Sequence, residues 1–226
     1  MCGRFFRREY NWSVYANETD VTPVQGVAPP EADWNAAPGQ HHPIIRQMDH
    51  GAERELVPAY WGLVPSWWTK PIKERRFSGI YTDLQSAPER PVYRGAFRYR
   101  RCLVPVSGYY LWSGEGRART PFVVAPSQDP NALWCLAGLW DRALIHGGVI
   151  ESFTLMTTTP NDAVAGLVTH MPVILKPSQY ADWLQRPKAC LEALREPYPA
   201  ASVSVWPVSP AVGKVQNNSI DLIRPA

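Results

Sequence analysis

A cysteine stands directly behind the initiator methionine, in the run Met1-Cys2-Gly3-Arg4-Phe5-Phe6. Removal of Met1 leaves Cys2 with a free α-amine and a thiol on adjacent carbons. Such a 1,2-aminothiol captures aldehydes. Its amine, with a reference pKa of about 8, adds to give a Schiff base, and the thiolate then closes a five-membered thiazolidine. Arg4, Arg7 and Arg8 crowd the same end of the chain and favour the thiolate form. The alternative for Cys2 is a free thiol packed in a core. Cys102, Cys135 and Cys190 are widely spaced and form no C-x-x-C pair, so neither a zinc knuckle nor a disulfide framework is suggested. Cys102 and Cys135 lie in apolar, strand-like runs and are expected to be buried. Reduced thiols suit a cytoplasmic setting.

A second chemistry lies in the cations and aromatics. The net charge is only +3, but Lys70, Lys73, Arg75 and Arg76 form one basic run, and Arg94, Arg98, Arg100 and Arg101 form another. Ten tryptophans and ten tyrosines accompany them. Two readings are open: a surface that tracks phosphates and stacks bases, or a solvated basic face beside an aromatic core. Trp67 and Trp68 follow Pro65 and precede Lys70, so they are candidates for stacking, whereas Trp61 is expected in the core. His41 and His42, with His50, have no carboxylate or cysteine spacing that suits a metal. They are expected in a surface loop, and neither a metal nor a cofactor is expected.

The elements that must position these groups are short. Twenty-three prolines punctuate the chain, too evenly for long helices. Strands are expected over Pro121 to Ala125, Leu133 to Trp140, Ser152 to Thr158 and Ser202 to Val208, which are rich in β-branched and aromatic residues. One helix begins at Lys176-Pro177-Ser178, with Tyr180, Trp183 and Leu184 on one face. Others are expected over Lys188 to Arg195 and Pro91 to Arg98. Residues 16 to 34 read as a surface excursion. With 45% hydrophobic and 19% charged residues, the composition is globular. No apolar run reaches the roughly 18 residues of a membrane span, and the start lacks the features of a signal peptide. The expectation is one β-rich α+β domain over residues 1–226, monomeric, cytoplasmic and without a membrane partner.

Eight blocks, in order, carry a resemblance to a known family. They are Met1 to Phe5; Asn35-Ala36-Ala37-Pro38-Gly39-Gln40; Trp61-Gly62-Leu63-Val64-Pro65-Ser66-Trp67; the arginine-rich stretch from Arg94 with Arg100-Arg101-Cys102-Leu103-Val104-Pro105; Gly108-Tyr109-Tyr110-Leu111-Trp112; Ala137 to Trp140; Met171 to Leu175; and Val208 to Val212. On these blocks the chain resembles the SRAP family, the SOS-response-associated peptidases. The resemblance implies twisted antiparallel and mixed sheets that form a barrel-like core with a few peripheral helices. It also implies a basic groove for single-stranded DNA and capture of abasic sites there by the N-terminal cysteine, whose open-chain deoxyribose aldehyde is the electrophile. Arg4, Asn35, Pro38, Trp67, Trp68, Arg94, Arg98 and His170 are the implied DNA contacts.

Three assisting positions depart from the family pattern. Where the family has an asparagine, this chain has Tyr81; a glutamate is replaced by Leu111 and a histidine by Val168. His170 takes an arginine's place. If 168 and 170 lie in an extended segment they share a side, so His170 is a candidate acid–base substitute, or else a phosphate contact or a packing residue. Tyr81 is a candidate for a hydrogen bond to the sugar, or a filler of the pocket. The expected function is therefore an abasic-site crosslinker with catalysis carried by Cys2, His170 and Tyr81, slowed or rewired. A non-catalytic single-strand-binding module is the second possibility. An N-terminal-nucleophile amidohydrolase is the third, for which no oxyanion constellation is found.

Overall fold

The computed structural model describes residues 3–47, 53–116, 119–185 and 191–226. In chain order the elements are β1 (Arg4–Arg7), α1 (Trp12–Thr19), β2 (Asp33–Ala36), β3 (His41–Arg46), β4 (Glu55–Trp61), β5 (Tyr81–Asp83), α2 (Arg94–Tyr99), β6 (Arg101–Val106), β7 (Gly108–Ser113), β8 (Thr120–Pro126), β9 (Trp134–Ile145), β10 (Gly148–Thr158), β11 (Met171–Pro172), β12 (Ile174–Leu175), α3 (Tyr180–Gln185) and β13 (Val203–Pro207), with short 3₁₀ turns between some of them.

Five strands close on themselves. β4 pairs β3, β3 pairs β6, β6 pairs β9 and β9 pairs β10, all antiparallel, and a parallel contact of β10 with β4 completes the ring. Closure removes the unpaired edges that an open sheet would leave. The β9–β10 hairpin is the longest element because its turn suits the strand twist: His146 and Gly147 both adopt positive φ, at 50° and 79°. β5 adds to β10 in parallel, while β11 and β12 extend the barrel sheet from β10 and β9. A second sheet runs in the order β13-β8-β7-β1-β2. Phe5, Tyr109, Leu111 and Val124 of this sheet share an apolar cluster with Ile44, Trp61, Val104 and Phe153 of the barrel. The expected β-rich α+β architecture with a barrel core is what the chain adopts.

The expected strands are present, and the second of them runs on to Ile145. The helix expected from Pro91 starts later, at Arg94, because residues 91–93 form a turn; Phe97 still faces inward. Of the helix expected over 188–195, residues 191–193 are helical, and 188–190 lie outside the described residues. Residues 16–34 are not wholly an excursion. Their first part belongs to α1, which Asn11 caps by accepting the Val14 N–H at 3.0 Å and which buries Tyr15 and Thr19.

Candidate active site and cationic surface

Cys2 lies outside the described residues, and the strand that follows it is firmly held. β1 is sandwiched between β7 and β2, with Arg4 opposite Tyr110 and Phe5 opposite both Tyr109 and Ala36. Phe5 is fully buried, its ring 4.9 Å from that of Trp61 and 5.1 Å from that of His42. Arg4 donates from Nη1 to Asn35 Oδ1 at 2.6 Å and to the Val212 carbonyl at 2.9 Å, and from Nη2 to the Gly213 carbonyl at 3.3 Å. Burial pulls its pKa below the ordinary guanidinium value, opposed by Tyr110. Asn35 is itself buried and donates to the carbonyls of Val212, Lys214 and Asn217. The structure thus brings Arg4 and Asn35 together, as a latch between β1, β2 and the C-terminal turn. Pro38 sits in the following turn, where Gly39 (φ 87°) donates to the Trp61 carbonyl and Gln40 accepts the Trp61 N–H.

The three assisting positions converge on the apolar cluster around Phe5. Leu111 is buried on β7 opposite Phe122 and belongs to the cluster, while Tyr81, on β5 beside Leu155, and Val168 are partly buried and pack against it. Leucine and valine carry no proton to exchange. The premise of an extended segment through 168 does not hold. Residues 161–168 form a turn, closed by Val164→Asn161 and Val168→Val164 amide–carbonyl bonds. Strand alternation therefore does not relate His170 to Val168. His170 lies just before β11, half-buried, with Nδ1 3.1 Å from Thr169 Oγ1.

A histidine expected in a surface loop, His42, also packs against this cluster. His41 and His42 are on β3 rather than in a loop, and their side chains alternate: His41 is exposed and His42 buried; His50 lies outside the described residues. His42 Nε2 lies 2.9 Å from the Ala37 carbonyl, and Nδ1 lies 3.5 Å from Asp33 Oδ2. Burial pushes the Asp33 carboxyl up, but the His42 hydrogen bond, the Asn35 N–H and the nearby charges of His42 and Arg7 outweigh it and hold it below its usual value. Their effect is to tie the starts of β2 and β3 beneath Phe5. Among the described residues, no group of three or more histidine, cysteine or acidic side chains is arranged to hold a metal ion. Cys102 and Cys135 are buried free thiols; burial pushes the Cys102 thiol up and raises that of Cys135 to about 12. No helix is long and apolar enough to cross a membrane among the described residues.

The cations separate into an inward and an outward set. Arg75 donates from Nη1 to the Gly62 and Leu63 carbonyls, and Arg101 donates to the carbonyls of Phe97, Arg98, Trp183 and Leu184. Both are staples. Lys70, Lys73, Arg76, Arg94 and Arg98 stay exposed. A cleft of about 640 Å³ is lined by Trp67, Trp68 and Phe77 with Lys70, Lys73, Arg75 and Arg76, and with Glu74 among them. A smaller one of about 320 Å³ lies between Trp67 and Arg94, and a third of about 710 Å³ runs past Arg94, Arg98 and Tyr99. Trp67 is shared by the first two clefts and Arg94 by the last two, so they form one track. Trp67 is 56% exposed, with its ring edge-on to Trp68 at 6.1 Å. The excursion that carries it is pinched at its base, since a Cβ on Gly79 would come within 2.4 Å of the Leu63 backbone nitrogen. The track thus gathers Trp67, Trp68, Arg94 and Arg98, while Arg4 and Asn35 form the separate latch and Pro38 sits in the turn after it.

Residues 1–215 match the family model described as SOS response associated peptidase (SRAP). The chain is 27% identical to the abasic site processing protein YoaM of Bacillus subtilis over 233 residues, covering 99% of this chain and 97% of that protein. It is 25% identical to the abasic site processing protein YedK of Escherichia coli, covering the whole of both chains. A solved protein of Bordetella bronchiseptica shares the fold at a TM-score of 0.72 and 24% identity, across 92% of this chain and all of that one.

Proposed function

The chain belongs to the SOS response associated peptidase family, and from that premise we propose that it captures abasic sites in single-stranded DNA through Cys2. The observation that carries the reading is full-length similarity to abasic site processing proteins that includes the Met1-Cys2-Gly3-Arg4-Phe5 start. The step balances without an oxidant or reductant. Once Met1 is lost, the α-amine adds to the deoxyribose aldehyde carbon and the carbinolamine expels one water to give a Schiff base. Sγ then adds to the imine carbon, the nitrogen takes up a proton and a thiazolidine results. The strand is held on the cationic track, with Lys70, Lys73, Arg76, Arg94 and Arg98 on phosphates and Trp67 and Trp68 against bases. Tyr81, Leu111 and Val168 leave the aminothiol to its own atoms and to solvent, which slows formation by about 10²–10⁴ relative to an assisted site.

Intact-mass measurement tests this. Met1-processed protein mixed with a single-stranded oligonucleotide bearing an abasic site is expected to give a heat-stable species at the summed mass less one water. Cys2→Ala is expected to give none, and an adduct that survives Cys2→Ala would overturn the reading. The apolar cluster at 81, 111 and 168 favours a second reading, a non-catalytic single-strand-binding module. Binding without any adduct over hours would select it.

A further inference from the structure

Asp141 of β9 is a carboxylate only 3% exposed, on the wall of the small cleft between Trp67 and Arg94. Both of its oxygens are engaged. Oδ2 accepts the Ser66 N–H at 2.9 Å, and Oδ1 accepts Arg100 Nη1 at 2.8 Å and the Arg142 N–H at 2.8 Å. Ser66 is the residue before Trp67. Arg100 caps the C-terminus of α2, the helix that carries Arg94 and Arg98, and its carbonyl accepts the Trp140 N–H at 2.8 Å. Ser152, directly across from Asp141 on β10, accepts the Val64 N–H at 2.8 Å from the same loop.

One buried carboxylate therefore joins the two elements that carry the two ends of the track. A buried ion pair is weak support for stability, since apolar packing of similar volume serves at least as well. Its directionality is what apolar packing lacks. Building on the single-strand reading above, we infer that Asp141 is a positioning residue that sets the Trp67 loop and α2 in a fixed relation, so that one DNA strand meets the tryptophans and Arg94 and Arg98 together. Asparagine at this position offers one acceptor oxygen, and its amide group would confront a donor at either Ser66 or Arg100. The tether is then broken on one side while the volume is unchanged.

The test is a double-mutant cycle read by anisotropy of a labelled single-stranded oligonucleotide, alongside amide hydrogen exchange of the free proteins. Asp141→Asn is expected to weaken binding about tenfold, the loss of one charge-assisted hydrogen bond. In the Trp67→Ala background it is expected to cost less than about twofold, because it acts through that loop. Exchange is expected to quicken in whichever of 64–68 and 98–101 loses its acceptor, and away from these segments and Arg142 to stay as in the wild type. Additive losses, unchanged affinity, or exchange that quickens in neither segment would overturn the inference. Should Asp141→Asn fail to fold, Arg100→Gln cuts the same tether from its more exposed side, with the same expectations. Wild-type protein that binds no single strand would sink the single-strand reading, and the exchange arm would still decide the positioning role.

Discussion

The apolar cluster around Phe5 and the track around Trp67 each hold a tryptophan from the same short run, and the two residues meet opposite environments. Trp61 is fully buried, stacked on Phe153 and tilted against Phe5, with its indole N–H donating to the Ile80 carbonyl at 2.9 Å. Trp67, six residues on, stands more than half exposed between a cleft rich in lysine and arginine and one that leads to Arg94. The first region buries Leu111 and packs Tyr81 and Val168 against the same apolar cluster. The second keeps its charges outward and spends its hydrogen bonds underneath, through Asp141, Ser152 and Arg75. The contrast teaches that two tryptophans six residues apart are sorted by the backbone bonds and packing around them, not by their type.

The largest break of this comparison is a paired truncation. Trp61→Ala is expected to cost about 3–5 kcal/mol of stability in urea titration. Trp67→Ala is expected to stay within about 0.5 kcal/mol of wild type, while weakening single-strand binding by about 1–3 kcal/mol per stacked base. Equal stability losses at the two positions would erase the distinction between the regions.

A somewhat smaller effect sharpens it. Leu111→Glu places a carboxyl in the apolar cluster, where desolvation raises its folded pKa above the unfolded value of about 4.3. The folded state then holds the proton more tightly, so the penalty is small below the unfolded pKa and grows as pH rises through the folded one. Stability of this variant measured from pH 4 to pH 8 is expected to fall by a few kcal/mol relative to wild type. A flat difference would mean that position 111 already reaches solvent.

Much of the fold was legible because the long strands advertise themselves. Thr120–Pro126, Trp134–Ile145 and Gly148–Thr158 are dense in β-branched and aromatic residues. The short pieces were not, since β11 and β12 have two residues each and show no alternation. Closure of the barrel depends on Ser152 meeting Tyr60 in parallel register, a pairing between residues far apart in sequence that leaves no local trace. In α1 the cap at Asn11 was readable, but Trp12, Tyr15 and Thr19 are modest helix formers and masked it. The basic runs announced a cationic surface without telling Arg98 from Arg101, because which arginines turn inward depends on the carbonyls that tertiary packing leaves for them. His42 reads as a loop residue for a related reason: its partner Asp33 approaches only once β2 and β3 are folded.

That pair gives the smallest expected effect. The folded pKa of Asp33 is held below its unfolded value, so its contribution is present above the unfolded carboxylate pKa and is lost as pH falls through the folded one. Asp33→Asn is expected to remove about 1–2 kcal/mol at neutral pH, the size of a charge-assisted hydrogen bond, and to flatten the acid limb of the stability curve. An unchanged acid limb would show that the His42 contact adds nothing to β1 anchoring.

In the proposed reaction the aminothiol of Cys2 works without a proton-transfer partner from the protein. Single-turnover adduct formation at saturating abasic single-stranded DNA, compared between wild type and His170→Ala, tests it most directly. Rates equal within about twofold are expected, with at most a modest loss of affinity from the missing imidazole. A fall of about 10²-fold or more at saturation, the scale of general acid–base catalysis, would contradict it and make His170 the acid–base group of a rewired site.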